Sequence, residues 1–174
     1  GSLQNPSSVL SSSQRKRYAE ARRSFDQPVI VASQEEAESR EQGRSTSTAT
    51  WTFKAENVRD FAFASSRKFI WDAQNTTVGG KDVLCMSYYP KEGNPLWERY
   101  STKLVAHTVQ TYSKYTVDYP YPVAISVHSK SIGMEYPMIC FNYGRAEKDG
   151  TYSESIKYGM IGVIIHEVGH NFFH

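Results

Sequence analysis

Residues 165–170 constrain this chain more than any other segment, because they contain a His-Glu-x-x-His pattern. On an α-helix, residues four apart lie on one face, so His166 and His170 can reach one divalent ion. Glu167 between them then lies close enough to accept a proton from a water molecule at that ion. The pattern predicts a helix with a zinc site, in which His166 and His170 are ligands and Glu167 is the general base. Two surface histidines beside a solvated glutamate are the alternative.

Charge and hydropathy narrow the classes of partner. The chain has 174 residues, with 20 Lys and Arg against 18 Asp and Glu, so its formal net charge is +2. A balance this even gives no bulk field that would favour nucleic acid or an anionic membrane. No apolar run approaches the roughly 18 residues that a membrane span requires. We therefore expect no nucleic acid and no membrane span, and the oligomeric state stays open.

The two cysteines and the first residues bear on the compartment. Cys85 and Cys140 lie in strand-like runs, which favours buried free thiols over a disulfide between them. Gly1 and Ser2 resemble the remnant of an expression tag, and no signal peptide is visible. The natural start of the protein is therefore expected to be missing. Localisation stays unknown, with an extracytoplasmic or periplasmic location as the working hypothesis.

The first half of the chain is expected to form short strands around a polar segment. Residues 14–23 predict a helix, and residues 33–48 predict a helical turn followed by a loop. The turn-rich residues 75–80 are the predicted domain boundary. Short strands rich in apolar residues are predicted at residues 29–31, 51–55, 61–63 and 69–71.

The second half is expected to alternate strands with long helices. A helix should begin at Pro95, after Asn94 as its N-cap, because apolar residues recur at three- and four-residue spacing as far as Tyr115. His107 on this helix has no spaced partner and is interpreted as a packing or surface residue. Strands are predicted at residues 82–88, 123–127 and 138–141.

The last predicted helix carries the His-Glu-x-x-His pattern. Thr151 and Glu154 fit a capping box at its start. Its residues are so apolar that burial on almost all sides is expected. Gly159 and Gly162 precede His166 by seven and four residues, and each costs about 1 kcal/mol of helix propensity relative to Ala. We interpret them as points where another backbone approaches the helix closely.

A candidate substrate-binding segment precedes the strand at residues 138–141. Pro137 lacks an amide donor, which favours a strand edge or a bulge at this point, and an extended peptide can add to an edge as a further strand. Glu135 beside this edge could bind a cation. An exposed loop carboxylate is the alternative for Glu135.

The third zinc ligand separates the classes of zinc peptidase. A catalytic zinc site has three protein ligands and a water molecule in the fourth position. The metzincin pattern would place Gly at position 173, where this chain has Phe173, and a third histidine beyond His174. That class is excluded, and a carboxylate from a following helix is the remaining common solution. We therefore expect weak or no zinc binding, and no activity, in the chain as it stands.

The run of Gly133, Met134 and Glu135, followed 31 residues later by His166, resembles the aminopeptidase N family of gluzincin metallopeptidases, which includes the leukotriene hydrolases. Residues 52–62 are similar to the last strands of that family's N-terminal β domain. The resemblance implies a peptide substrate whose free N-terminus is bound by Glu135, with Gly133 and Met134 along the substrate-binding edge strand. Tyr136 takes the place of the family's usual Asn. The family's third ligand, a glutamate, and its transition-state-stabilising tyrosine would lie beyond this sequence.

The resemblance also implies a fold and a reaction. The expected class is α+β, with the end of an N-terminal β domain and a polar insertion in residues 1–80. Residues 81–174 would be the sheet-and-helix first half of a thermolysin-like catalytic domain. The implied function is zinc-dependent hydrolysis of peptide bonds that releases N-terminal residues. The alternative is a non-catalytic peptide-binding protein that retains the peptidase fold.

Overall fold

The computed structural model describes residues 1–173, which form strands and helices of the predicted α+β class. The strands are Ser2–Leu3 (β1), Val29–Ala32 (β2), Phe53–Lys54 (β3), Ile70–Val78 (β4), Lys81–Tyr89 (β5), Val123–His128 (β6), Met134–Tyr136 (β7) and Ile139–Asn142 (β8). The α-helices are Pro6–Val9 (α1), Ser12–Ala21 (α2), Gln34–Glu41 (α3), Thr102–Tyr115 (α4) and Glu154–Gly169 (α5). None of the helices within residues 1–173 is long and apolar enough to cross a membrane.

Six of the strands form one mixed sheet in the order β2-β4-β5-β6-β8-β7. Strands β2, β4 and β5 are antiparallel neighbours, β6 and β8 run parallel to β5, and β7 returns antiparallel to β8. The parallel pair β5 and β6 is joined through α4, as a parallel connection requires a crossover. Strand β7 is therefore an edge strand, as Pro137 predicted.

The predicted domain boundary at residues 75–80 is the end of a β-hairpin. Gly79 and Gly80 both have positive φ angles, 56° and 73°, and connect β4 to β5. Such angles are characteristic of the two-residue turns that close antiparallel hairpins, and glycine adopts them without strain. Because β4 and β5 lie in the same sheet, the sheet continues across residue 80.

Of the two strands predicted between residues 51 and 63, the one at residues 61–63 is wrong and the one at residues 51–55 is shorter than predicted. Only Phe53–Lys54 forms a strand, paired with β1 in a separate two-stranded ribbon. Residues 61–63 are irregular, and the Phe61 and Phe63 side chains are 51% and 76% exposed. Their alternation with polar residues therefore does not arise from burial on one face of a sheet.

Each face of the large sheet carries its own core. One core lies under α3, α4 and α5, and the other lies under α2 and the irregular residues 55–64. The core under α4 and α5 includes Ile70, Val83, Cys85, Tyr89, Trp97, Val105, Val109, Cys140, Met160, Ile164 and Val168. The opposite core includes Tyr18, Val31, Trp71, Ala73, Leu84, Met86, Ile125, Val127 and Ile139. Cys85 and Cys140 are free and buried, as predicted.

The two long helices begin differently from the predictions. A π-helical turn at Trp97–Ser101 precedes α4. The helical backbone therefore starts near the predicted residue, but its first turn is a π-helix and not an α-helix. Helix α5 is capped by Ser153, whose hydroxyl accepts a hydrogen bond from the Ile156 amide at 3.2 Å. The predicted cap residue Thr151 instead bonds to Asp149.

The close backbone approach predicted at Gly159 and Gly162 is wrong. Among residues 1–173, no heavy atom apart from the neighbouring backbone of α5 itself lies within 4 Å of the position that a Cβ would occupy at either residue. Helix α5 buries Met160, Ile164 and Val168, and its other side is open. Helix α5 therefore has more apolar residues than it buries within residues 1–173, and the predicted burial on almost all sides is wrong for these residues.

Candidate metal centre

Helix α5 positions the His-Glu-x-x-His residues at the edge of the core. Its buried face packs against β8 and α4, which fixes its rotation. Gly169 lies so close to α4 that a Cβ there would stand 3.1 Å from both the Cζ atom and the hydroxyl oxygen of Tyr112. With Val168 and Gly169 directed to the core, His166 is left exposed and His170 half-buried.

The two histidine rings meet as a metal pair would require. The Nε2 atoms of His166 and His170 lie 3.1 Å apart. Two nitrogens bound at 2.0–2.1 Å to one tetrahedral zinc ion lie about 3.3 Å apart, so the observed spacing matches the donor geometry. His170 continues the helical backbone beyond α5, and its amide bonds to the His166 carbonyl at 3.2 Å.

A carbonyl group orients the second ring. Nδ1 of His170 lies 3.0 Å from the carbonyl oxygen of Phe173, which can only accept a hydrogen bond. The proton of a neutral His170 ring is therefore placed on Nδ1, and the Nε2 lone pair is directed towards His166. Metal-binding histidines are commonly held by such a second hydrogen bond.

Glu167 is buried with one oxygen unsatisfied. Its side chain belongs to a residue that is only 6% exposed, and Oε2 has no hydrogen-bond partner within residues 1–173. Burial raises the pKa of Glu167, His166 lowers it, and the carboxyl of Glu135 raises it again. Unpaired buried oxygens are rare in proteins, so this atom is a place where a water molecule or ligand is expected.

The predicted substrate-binding residues lie beside this carboxyl. A Cβ at Gly133 would overlap Oε1 of Glu167 and stand 2.8 Å from a methyl group of Val163, so only glycine lets the loop approach α5. Met134 is 40% exposed, and Glu135 is half-buried opposite Cys140 on the neighbouring strand. The structure thus brings Gly133 and Glu135 to Glu167 and leaves Met134 on the open edge.

A small cavity of about 80 Å³ opens between Glu135 and His170. Asn171 supports its wall, because its side-chain oxygen accepts a hydrogen bond from the Met138 amide at 2.8 Å. Met138 has a positive φ of 68°, which an L-residue adopts only where its surroundings hold it there. The cavity is lined by Tyr121, Glu135, Tyr136, Pro137, His170, Asn171, Phe172 and Phe173.

Sequence reasoning missed Tyr121 and Asn171. Asn171 directly follows the motif, but its contact with Met138 joins residues 33 positions apart. Tyr121 lies between the predicted helix that ends at Tyr115 and the predicted strand at residues 123–127, where no function was predicted. His107 was placed correctly outside the site, since it is exposed on α4 and contacts Thr111 at 3.4 Å.

Within residues 1–173, the group of side chains that could hold a metal ion consists of His166, Glu167 and His170, whose donor atoms all lie within 4.8 Å of one another. If Glu167 serves as the base, two ligands remain, and a catalytic zinc site needs a third. No protein-family model and no curated protein matches this sequence.

Proposed function

We propose that this chain carries the zinc-binding part of a metallopeptidase that releases residues from the N-terminus of peptides. The observation that carries the proposal is the spacing of 3.1 Å between the His166 and His170 nitrogens, directly beside the buried carboxyl of Glu167. A pair of surface histidines without a role in metal binding would not explain the buried acid with an unpaired oxygen beside it.

His166 and His170 would hold the ion. When bound, zinc would lower the pKa of a bound water molecule to about 7 and polarise the scissile carbonyl. A third ligand would come from a carboxylate outside the described residues, as in the gluzincins that the sequence resembles. With two histidines alone, zinc binding by residues 1–174 should be weak.

Glu167 would accept the proton of the attacking water and deliver it to the leaving amine. The raised pKa supports this role, because a base works best when its pKa lies near the operating pH. The unpaired Oε2 atom supplies an acceptor with no competing donor among the described residues. Burial of this acceptor also keeps bulk water from solvating it.

Glu135 would bind the free α-amino group of the substrate. It sits on edge strand β7, whose outer side is open for an extended peptide to pair with. The carboxyls of Glu135 and Glu167 interact, so the amino group would be held close to the base and only the N-terminal peptide bond would reach it. The sequence resemblance to the aminopeptidase N family supports the same assignment.

We also propose that the six-stranded sheet with α4 and α5 is the first half of a thermolysin-like catalytic domain. Because this sheet includes β2 and β4, the unit begins well before residue 81, and the boundary drawn from residues 75–80 lies inside it. Helix α2 and residues 55–64 share a hydrophobic core with this sheet, so they would belong to the same unit.

Metal binding can be measured on this chain with cobalt(II), whose visible absorption reports tetrahedral coordination. Weak binding is expected for the wild-type chain and for Glu167→Gln, and loss of binding is expected for His166→Ala. His107→Ala is the matched control, because His107 is also exposed on a helix but lies outside the donor group. Equal cobalt binding by His166→Ala and the wild type would overturn the assignment of the ligands.

The reaction is tested on the full-length protein with aminoacyl chromogenic substrates. Hydrolysis should be abolished by a chelator and restored by zinc, and Glu167→Gln should retain zinc while losing activity. Absent or chelator-insensitive hydrolysis would overturn the proposal and favour the alternative, a non-catalytic peptide-binding protein in which Glu135 binds peptide termini.

A further inference from the structure

A row of polar side chains crosses the middle of the sheet, away from the candidate metal centre. Asp72, Ser87 and Ser126 lie on neighbouring strands and are directly opposite one another in the register. Asn142 lies on the next strand, β8, opposite His128 and therefore two residues out of line with Ser126. All four residues are at most 1% exposed. Buried polar groups usually find partners inside the protein, although the side-chain oxygen of Asn142 has none among residues 1–173.

Asp72 finds partners on both of its oxygens. The hydroxyl of Tyr89 donates to Oδ2 at 2.6 Å, and the hydroxyl of Thr102 at the start of α4 contacts Oδ1. No salt bridge involves Asp72 among the described residues. A carboxyl held by neutral donors with no cation nearby is costly to ionise.

Thr102 connects Asp72 to a chain of hydroxyl groups. Its Oγ1 lies 2.7 Å from that of Ser87, which lies 2.7 Å from Ser101. Ser101 lies 3.3 Å from Ser126, and Ser126 accepts a hydrogen bond from the side-chain amide of Asn142 at 2.8 Å. Four hydroxyls thus link α4 to the strands β5 and β6, and an amide extends the chain to β8.

The direction of this chain depends on the protonation of Asp72. Each hydroxyl has one proton to donate, so neighbouring groups must all point the same way. When Asp72 is neutral, its carboxyl donates a hydrogen bond to Thr102. Thr102 then donates to Ser87, Ser87 to Ser101, and Ser101 to Ser126. When Asp72 loses its proton to solvent, Thr102 donates to the carboxylate. Each of the other hydroxyls then donates to the neighbour from which it previously accepted a hydrogen bond.

The charges around Asp72 do not favour its ionised form. Burial raises the pKa of Asp72 to about 7, against the lowering effect of its hydrogen bonds from Thr102 and Tyr89. Tyr89 on β5 and Glu98 on the π-helical turn are the titratable groups facing it, and Glu98 raises the pKa further.

The other elements packed against β4 leave this balance unchanged. Strand β2 has only Val, Ile and Ala residues. The acids Glu36 and Glu38 of α3 are paired with Arg17 and Lys91. The basic side chains of α4 nearest Thr102 in sequence, Lys103 and His107, are exposed.

We propose that Asp72 and the hydroxyl chain of Thr102, Ser87, Ser101 and Ser126 form a proton-linked switch in the core. Neutral Asp72 gives the more stable fold, and loss of its proton reverses the direction of the hydroxyl chain. The switch is independent of the proposed peptidase chemistry, because none of its groups belongs to the candidate metal centre.

Infrared difference spectroscopy of the full chain tests the first part directly. The carbonyl band of a buried protonated carboxyl should be present below neutral pH, disappear on raising the pH, and be absent in Asp72→Asn. The stability of the wild type relative to the isosteric Asp72→Asn variant should also decrease over the same pH range. A wild-type protein without this band in acid would overturn the proposal, and that measurement needs no variant to fold.

The role of the hydroxyl chain is tested by the pH midpoint of the Asp72 titration. Removing a hydroxyl weakens the aligned hydrogen bonds that stabilise the carboxylate, so Ser87→Ala should move the midpoint upward and Ser126→Ala should move it less, in the same direction. Thr108→Val is the control, because Thr108 is equally buried on α4 but bonds only to the Leu104 carbonyl. Midpoints that stay at the wild-type value in both serine variants would show that no such chain operates.

Discussion

Two side-chain carboxyl groups are buried within residues 1–173, and their surroundings differ. Asp72 has hydrogen-bond partners on both oxygens and lies in the closed middle of the sheet. Glu167 has an oxygen without a partner among the described residues and lies beside two histidines, one exposed and one half-buried. Burial raises the pKa of both groups.

The difference separates an acid that stabilises the fold from an acid that can still accept a hydrogen bond from a substrate or a water molecule. A buried acid with all its partners supplied by the protein has no capacity left to bind anything else. A buried acid with a free oxygen carries a desolvation cost, which His166 and His170 offset only in part for Glu167, since its pKa stays raised. Raised pKa values alone would not have distinguished Asp72 from Glu167, whereas counting their hydrogen bonds does.

The largest expected contrast is in catalysis. In the full-length protein, Glu167→Gln should lower peptidase activity by about 10²- to 10⁴-fold, since that is the usual contribution of a positioned general base. Asp72→Asn should change activity much less, because Asp72 is not part of the metal centre. Rates of aminoacyl substrate hydrolysis with zinc in excess measure both. A comparable loss in the two variants would break the distinction.

The contribution of Asp72 to stability should fall as the pH rises, whereas His128, whose pKa burial lowers to about 4, acts in the opposite direction between about pH 4 and 6.5. The Asp72 pKa of about 7 in the folded state exceeds its ordinary value of 3.8, so the folded protein binds this proton more tightly than the unfolded protein does. The stabilisation is complete below about pH 4 and is lost between pH 4 and 7, by up to about 4 kcal/mol. The raised pKa of Glu167 acts in the same direction.

Urea unfolding from pH 4 to 8 measures this dependence. The stability of the wild type relative to Asp72→Asn should decrease across this range, because His128 contributes equally to both proteins. A difference between the two that does not change with pH would contradict the prediction.

Truncation of the two acids should also cost differently. Asp72→Ala leaves the hydroxyls of Tyr89 and Thr102 without their acceptor and should destabilise the fold by about 3 kcal/mol. Glu167→Ala removes an unsatisfied oxygen and should change the free energy of unfolding by less than about 1 kcal/mol. Chemical denaturation of both variants at pH 5, where the Asp72 carboxyl is protonated, compares them. Equal costs would show that Glu167 has partners that the structure does not reveal.

The smallest expected effect concerns the open side of α5. Gly162→Ala should stabilise the protein by about 1 kcal/mol, because alanine favours the helix and nothing lies within 4 Å of the added methyl group. Gly133→Ala should destabilise it, because the methyl group would overlap the Glu167 carboxyl. Thermal unfolding measures both variants. Destabilisation by Gly162→Ala would indicate that another segment covers this side of the helix in solution.

The features that sequence predicted correctly are those set by local spacing. His166 and His170 converge because residues four apart on a helix must share a face, and edge strand β7 followed from the missing amide of Pro137. The approach of Glu135 to Glu167 was not available from spacing, because it depends on how β7 packs against α5. It was expected only from the resemblance to a known family.

The features that sequence missed depend on register. Asp72, Ser87 and Ser126 are isolated polar residues within apolar strands, and nothing local to any of them shows that they are opposite one another. The hairpin at Gly79 and Gly80 did have a local signal, since adjacent glycines suit a two-residue turn, but it was interpreted as a domain boundary. Gly159 and Gly162 were misinterpreted because a glycine in a helix shows only that a side chain is absent.

The two free thiols give this sheet a built-in chemical reporter. Cys85 on β5 and Cys140 on β8 are at most 1% exposed, and burial raises the pKa of Cys140 to about 12 and that of Cys85 further still. A thiol reagent can therefore react only with molecules in which the sheet has opened locally. The modification rates of the single-cysteine variants would give the opening equilibrium separately for the middle of the sheet and for the strand beneath the candidate metal centre.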